Sequence, residues 1–166
     1  QGFMLATPLQ LAVMSARLAN GGLAVSPTLV WRRPAENGDS VEPESLGISK
    51  RHLDIIRQGM VDVVHGDRGT ARHTKIADPD ILVAGKTGTA QVRRITMAER
   101  RAGIRDQEDL PWKFRHHALY VCFAPADQPK YAVAVVVEHG GSGSKAAAPV
   151  AHDILEETLR RDPAGT

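Results

Sequence analysis

The sequence is short of several things, and each shortage removes a class of reading. Its 166 residues contain one cysteine, Cys122, so an internal disulfide framework is excluded. That cysteine sits in the apolar run ALYVCFA and reads as a buried structural thiol, not a reactive one. The formal net charge is only +2, too small to call for a nucleic-acid partner. No apolar stretch reaches the roughly 18 residues that a membrane-crossing helix needs. No signal peptide is visible. The histidines His65, His73, His116, His117 and His139 follow no zinc spacing and have no cysteine partner nearby. They read as surface or boundary residues, and the chain implies no metal and no cofactor. Internal repeats and low-complexity tracts are also missing. The first residue is Gln1 and the chain reads as structured from its start, so the expectation is a segment of a longer protein.

What is present suits one domain. Hydrophobic residues make up 42% and charged residues 24%, ordinary values for a chain with a core. A helix opens at ATPLQLA: Thr7 is the N-cap, Pro8 the first helical position, and Gln10 completes a capping box. Leu9, Ala12, Val13 and Ala16 share one face and Leu11, Met14 and Leu18 another, which predicts burial most of the way round. Asn20-Gly21-Gly22 stops it. AVSPTLVWR then reads as a short edge strand or extended segment, followed by a polar loop. A second helix begins near Ser49, with Leu53, Ile56, Met60, Val63 and Val64 at helical spacing and Gly66 as its stop.

Residues 93–116 are a polar excursion, with seven Arg or Lys against four Asp or Glu in residues 93–115. A loop of this length is unusual unless it is functional or partly disordered, and Trp112 and Phe114 are expected to pack it back onto the sheet near the cleft. Two apolar strands, HALYVCFAP and YAVAVVVEH, are joined by a turn short enough for an antiparallel hairpin. A C-terminal helix follows, with Val150, Ile154 and Leu155 expected on the sheet and Thr158 and Leu159 one turn on. The order helix, helix, three strands, helix predicts an α+β fold, an antiparallel sheet packed with helices.

The chemistry centres on ILVAGKTGTAQV, residues 81–92. Gly85-Lys86-Thr87 matches the end of a phosphate-binding loop. However, Asp80 stands where that loop needs glycine, ILVA is a strand rather than a turn, and no helix pattern follows. Read as a strand, the segment has a different use. Lys86 supplies a fixed positive charge and can join proton transfers when desolvated. The Thr87 and Thr89 hydroxyls can bind a carboxylate, and Gly88 leaves room for a substrate backbone to pair with the strand. Alternation puts Lys86 on one face and both threonines on the other, so one site can use all of them only at a sheet edge. The plain alternative is a surface strand with incidental Lys and Thr.

Lys-Thr-Gly belongs to the motif set of penicillin-binding proteins and serine β-lactamases. Here it is accompanied, in order, by QGFMLATPLQLAVMSARLANGG, the GTA of residues 69–71, VAGKTGTAQV, HALYVCFAP and YAVAVVVEHGGSGSKAAAPVAHDIL. Together these segments resemble the C-terminal part of the transpeptidase domain of class B penicillin-binding proteins. The resemblance covers nearly all of residues 1–166 and is weakest over 34–48 and 93–112. It implies a peptidoglycan D,D-transpeptidase on the periplasmic side of the bacterial inner membrane, with the anchor outside this chain. It also implies stem peptides and β-lactams as ligands, and a membrane glycosyltransferase as partner. Lys86 would tune the site, Thr87 would hold the carboxylate, and the Thr89 backbone N–H would be half of the oxyanion hole.

The family's nucleophile lies in a Ser-x-x-Lys upstream of Lys-Thr-Gly, with a Ser-x-Asn also upstream, and neither occurs here at a matching place. The one Ser-x-x-Lys, Ser142-Gly143-Ser144-Lys145, follows the third motif. It reads as a solvated loop with a helix cap from Ser142 or Ser144, so no nucleophile is assigned in this chain. The fragment is expected to be inactive alone, and the missing part of the sheet would leave an exposed edge. The rival readings are a non-catalytic β-lactam sensor or interaction domain, and a serine β-lactamase, which the TPLQLA…NGG segment disfavours.

Overall fold

The computed structural model describes residues 4–30 and 43–162. Helix α1 (Pro8–Ala19) starts with the predicted capping box: the Thr7 side chain accepts from the Gln10 N–H, and Gln10 returns the bond to the Thr7 N–H. It ends at Asn20, whose carboxamide oxygen accepts from the N–H groups of Gly22 and Leu23. Gly21 and Gly22 follow with φ of 86° and 87°, a left-handed turn that glycine enters without steric cost. Helix α2 (Lys50–His65) is capped by Ser49 and ends at Gly66, as its sequence predicts.

Strands β1 (Ala84–Ala90), β2 (His117–Ala124) and β3 (Tyr131–Val137) form one antiparallel sheet in the order β1-β2-β3. Helix α4 (Ala148–Arg161) closes the chain. The α+β expectation holds, with β1 and β3 as the edges among the described residues.

The sheet divides two cores. On one face α4 and a π-helical turn over Gly143–Ala147 cover Ala118, Tyr120, Cys122 and Ala124 with Ala147, Ala148, Ala151 and Leu155. On the other, α1 and part of α2 cover Ala84, Val121 and Phe123 with Ala19 and Met60. Helix α2 lies along β1 and serves both cores, giving Met60 to one and Val64 to the other. Burial pushes the Cys122 thiol up to about 12, consistent with an inert structural cysteine.

Four expectations are corrected. Helix α1 is not buried most of the way round: only Ser15 and Ala19 are fully buried, while Leu9 and Met14 are 59% and 44% exposed. Among the described residues no element covers its outer face. Of the two readings of residues 24–32, short strand or extended segment, the strand is the one that fails over 24–30; Leu23 makes one isolated bridge with Ser45, and residues 31–32 lie outside the described residues. On α4, Leu155 is buried but Val150 and Ile154 are not; the sheet-facing stripe is Ala148, Ala151 and Leu155, with Leu159 packed beside it. Small alanines let the helix approach β2 closely, and close approach outweighed side-chain size. On α2, Ile56 is exposed, and Leu53, Met60 and Val64 are the buried residues.

The excursion at 93–116 is structured. It holds helix α3 (Met97–Ala102), with a capping box between Thr96 and Glu99, and two 3-10 turns at Gln107–Asp109 and Trp112–Phe114. Arg93 pairs with Glu99 at 2.6 Å. Trp112 and Phe114 are 61% and 42% exposed, and the Trp112 ring meets that of His139, beyond the end of β3, at 4.3 Å and a tilt of 58°.

Candidate functional site

Residues 86–89 lie on β1, one of the two edge strands of the sheet among the described residues. The register fixes their directions. Lys86 stands opposite Val121, of the α1-side core, and Thr87 opposite Tyr120, of the α4-side core. Lys86 and Gly88 therefore belong to one face, and Thr87 and Thr89 to the other. Because β1 is an edge, both faces open onto the same rim. The Gly-Lys-Thr of a phosphate loop is absent as a structure: these residues are extended, and no helix begins directly after them.

Lys86 is exposed, and its Nζ donates to the Thr87 carbonyl at 2.8 Å. Gly88 packs on Leu119; a Cβ there would lie 3.2 Å from the Leu119 Cβ. Gly85 lies over the Tyr120 hydroxyl, which any side chain at 85 would strike. That hydroxyl reaches Thr74 Oγ1 at 3.1 Å, and Thr74 in turn donates to the Ala71 carbonyl at 2.7 Å. A glycine in β1 thus lets a buried tyrosine tie down the connector between α2 and β1.

The ends of β1 are held by histidines. His65 Nε2 accepts from the Val83 N–H at 3.1 Å, and His116 Nδ1 accepts from the Val92 N–H at 3.4 Å. His116 is buried, not a surface residue as its sequence context suggested. Burial lowers the pKa of His116, with Arg93 and His117 adding to the effect. Burial also lowers that of His65, helped by Lys75. Among the described residues no group of three or more His, Cys, Asp or Glu is placed to hold a metal ion.

Ser142-Gly143-Ser144-Lys145 opens the π-helical turn that leads into α4. Ser142 caps it, accepting from the Lys145 N–H at 3.4 Å, and Lys145 pairs with Glu108 at 2.8 Å. The turn is packed, however, rather than simply solvated. Gly143 is fully sheltered against the Gly88 and Leu119 carbonyls, where a Cβ would collide. Ser144 Oγ donates to the Thr70 carbonyl at 2.6 Å, and Thr70 Oγ1 lies 3.1 Å from Thr87 Oγ1. Thr70 carried no role in the sequence reading. Its only signal was the GTA of residues 69–71.

β1 is thus an extended edge strand carrying Lys86-Thr87-Gly88-Thr89, with Thr70 and the turn of residues 142–147 set against it. The family profile described as "Penicillin binding protein transpeptidase domain" matches residues 1–156, and the chain belongs to that family. Within it, the likeness is to class B enzymes of the penicillin-binding protein 2, or MrdA, type. The peptidoglycan D,D-transpeptidase MrdA of Acinetobacter baumannii is 37% identical over 98% of this chain. The solved penicillin-binding protein 2 of Pseudomonas aeruginosa is 39% identical over 96% of this chain, with a TM-score of 0.68. Penicillin-binding protein A of M. tuberculosis, solved as a penicillin G acyl-enzyme complex, is 28% identical over 96%, with a TM-score of 0.63. The chain spans 24% of the Acinetobacter relative, and 31% and 33% of the two solved chains.

Proposed function

We propose that residues 1–166 are the C-terminal portion of the transpeptidase domain of a peptidoglycan D,D-transpeptidase, and that β1 is its substrate-binding strand. The complete enzyme acylates a serine with a D-Ala-D-Ala stem peptide and releases D-Ala. It then passes the acyl group to the amine of a neighbouring stem. β-Lactams enter the same site and stop at the acyl-enzyme. The nucleophile belongs to sequence outside this chain.

In this reading β1 does three things. Lys86 puts a positive charge beside the reacting serine and assists proton transfer. Thr87 and Thr89 donate hydroxyls to the carboxylate of the stem peptide or β-lactam, and Gly88 leaves the strand bare for the peptide backbone. The Thr89 N–H stabilises the tetrahedral oxyanion together with the N–H of the nucleophile itself. The observation that carries the reading is the exposed edge strand bearing this tetrad, in a chain matched by the transpeptidase family almost end to end. The proposed setting is the periplasmic side of the inner membrane, beside a membrane glycosyltransferase. Among the described residues no helix is long and apolar enough to cross a membrane.

The test is labelling with a fluorescent penicillin. The complete protein takes the label on a serine outside this chain and turns over a D-Ala-D-Ala stem peptide. Residues 1–166 alone take none. Label on Ser142 of the isolated chain would sink the assignment of the nucleophile elsewhere. A labelled complete protein without turnover would leave a β-lactam sensor in place of an enzyme.

A further inference from the structure

We propose that Thr70 is a positioning residue for the Thr87 hydroxyl, and thereby for recognition of a substrate carboxylate on β1. The inference rests on the reading of β1 as the substrate strand and adds a residue to it from outside the Lys-Thr-Gly motif.

The two hydroxyl oxygens are 3.1 Å apart and share one hydrogen bond. A hydroxyl has a single hydrogen and two acceptor lone pairs, whereas an ionised carboxylate only accepts. An arriving carboxylate therefore selects one direction for the pair. Thr70 donates to Thr87, and the Thr87 hydrogen points off the edge to the ligand. In that arrangement Thr70 holds the Thr87 rotor still and polarises its O–H, as hydrogen bonds in series do.

The connector that carries Thr70 is fixed more firmly than an exposed loop requires. Ser144 Oγ donates to the Thr70 carbonyl at 2.6 Å, and the His73 ring meets the Ser144 carbonyl at 2.9 Å. The Ala71 N–H donates to the Val63 carbonyl at 3.0 Å, and Thr74 joins the Ala71 carbonyl to the buried Tyr120 hydroxyl. Gly69 lies against the carbonyls of Val63 and Asp62, where no Cβ fits. Such ties bring one exposed hydroxyl to one place on the strand edge, which is how precise sites are supported. They also give the Ser-x-x-Lys of residues 142–145 a use. Ser144 clamps the connector, and Gly143 lets the clamp lie on β1.

The experiment measures second-order acylation of the complete transpeptidase by penicillin G and by its methyl ester, whose carboxylate is masked. Thr70→Val slows acylation by penicillin G about tenfold, near the top of the range for one lost neutral hydrogen bond. Thr70→Ser restores it to within about twofold, because the hydroxyl returns. Reaction with the ester changes by less than about twofold in both variants. Ser144→Ala gives a smaller loss of the same kind, and serves if Thr70→Val folds poorly. If Thr87→Val slows penicillin G and Thr70→Val does not, the positioning role is wrong and the reading of β1 stands. If Thr87→Val also leaves the rate unchanged, the reading of β1 itself falls. Equal slowing toward penicillin G and its ester would reduce Thr70 to a structural residue and overturn the proposal.

Discussion

The two faces of the sheet are closed in different ways. On the α4 side, alanines at 147, 148 and 151 and Leu155 meet Ala118, Tyr120, Cys122 and Ala124, all at most 1% exposed. On the α1 side, Phe123 is fully covered, but the helix above it keeps Leu9 and Met14 largely in the open. With Met4, Leu5, Leu46 and Ile48 they line an apolar groove. One face is finished by small residues at close range. The other is finished only next to the sheet. The tight face carries the brace on β1: the turn of residues 142–147, the Tyr120–Thr74 tie and Thr70 all belong to it. A site that must hold one hydroxyl in place needs rigid support, and this protein puts that support on the side where packing leaves least room.

The largest effects should come from the tight face. Leu155→Ala removes a fully buried side chain, and denaturant unfolding of the protein should report a loss of about 2–5 kcal/mol. Ile154→Ala, one position away on the same helix but 47% exposed, should cost less than about 1 kcal/mol. Equal losses would mean that the helix face is assigned wrongly. The next contrast is overpacking. Ala151→Leu should destabilise by about 1–3 kcal/mol, since the alanine is 0% exposed against the sheet. Adding bulk on the open face, as in Leu9→Phe, should stay within about 0.5 kcal/mol in the same measurement.

The smallest effect concerns pH and the ends of β1. His65 and His116 accept N–H groups of Val83 and Val92 in their neutral forms, and burial lowers both pKa values from the usual 6.5. The unfolded chain therefore takes up protons first as pH falls. Their contribution is fully present above about 6.5 and is lost on descending through the interval between 6.5 and the lowered folded values. Unfolding measured from pH 8 to pH 5 should show this slope. The variant pair His65→Gln and His116→Asn, which keep a neutral acceptor, should flatten it. An unchanged slope would show that the ends of β1 are not held this way.

How much of this was legible depended on distance along the chain. Thr7 and Gln10, Ser49 and Gly66 announced their helix ends because each cap is completed within a few residues. The strands at 117–124 and 131–137 were visible as apolar runs joined by a short turn. Thr96 and Glu99 carry an equally local signal, hidden inside a polar stretch that reads as loop. The α4 stripe is not legible in this way, because Val150 and Ile154 look like better core residues than Ala148 and Ala151. The choice between them was made by how closely a helix can approach a sheet, which propensity does not encode.

The candidate site divides in the same way. The sequence by itself determined the tetrad Lys86-Thr87-Gly88-Thr89 and its extended conformation, because a motif on one strand needs only its neighbours, and it determined the family because several separated segments agree in order. Only the tertiary structure decided that β1 is an edge, that Lys86 and Thr87 share one rim from opposite faces, and that Thr70 stands beside Thr87. The reason is physical. A hydrogen bond across 17 residues exists only because α2, the Tyr120 hydroxyl and the turn at Ser144 each fix the connector in space. None of those constraints is local to the residues they bring together.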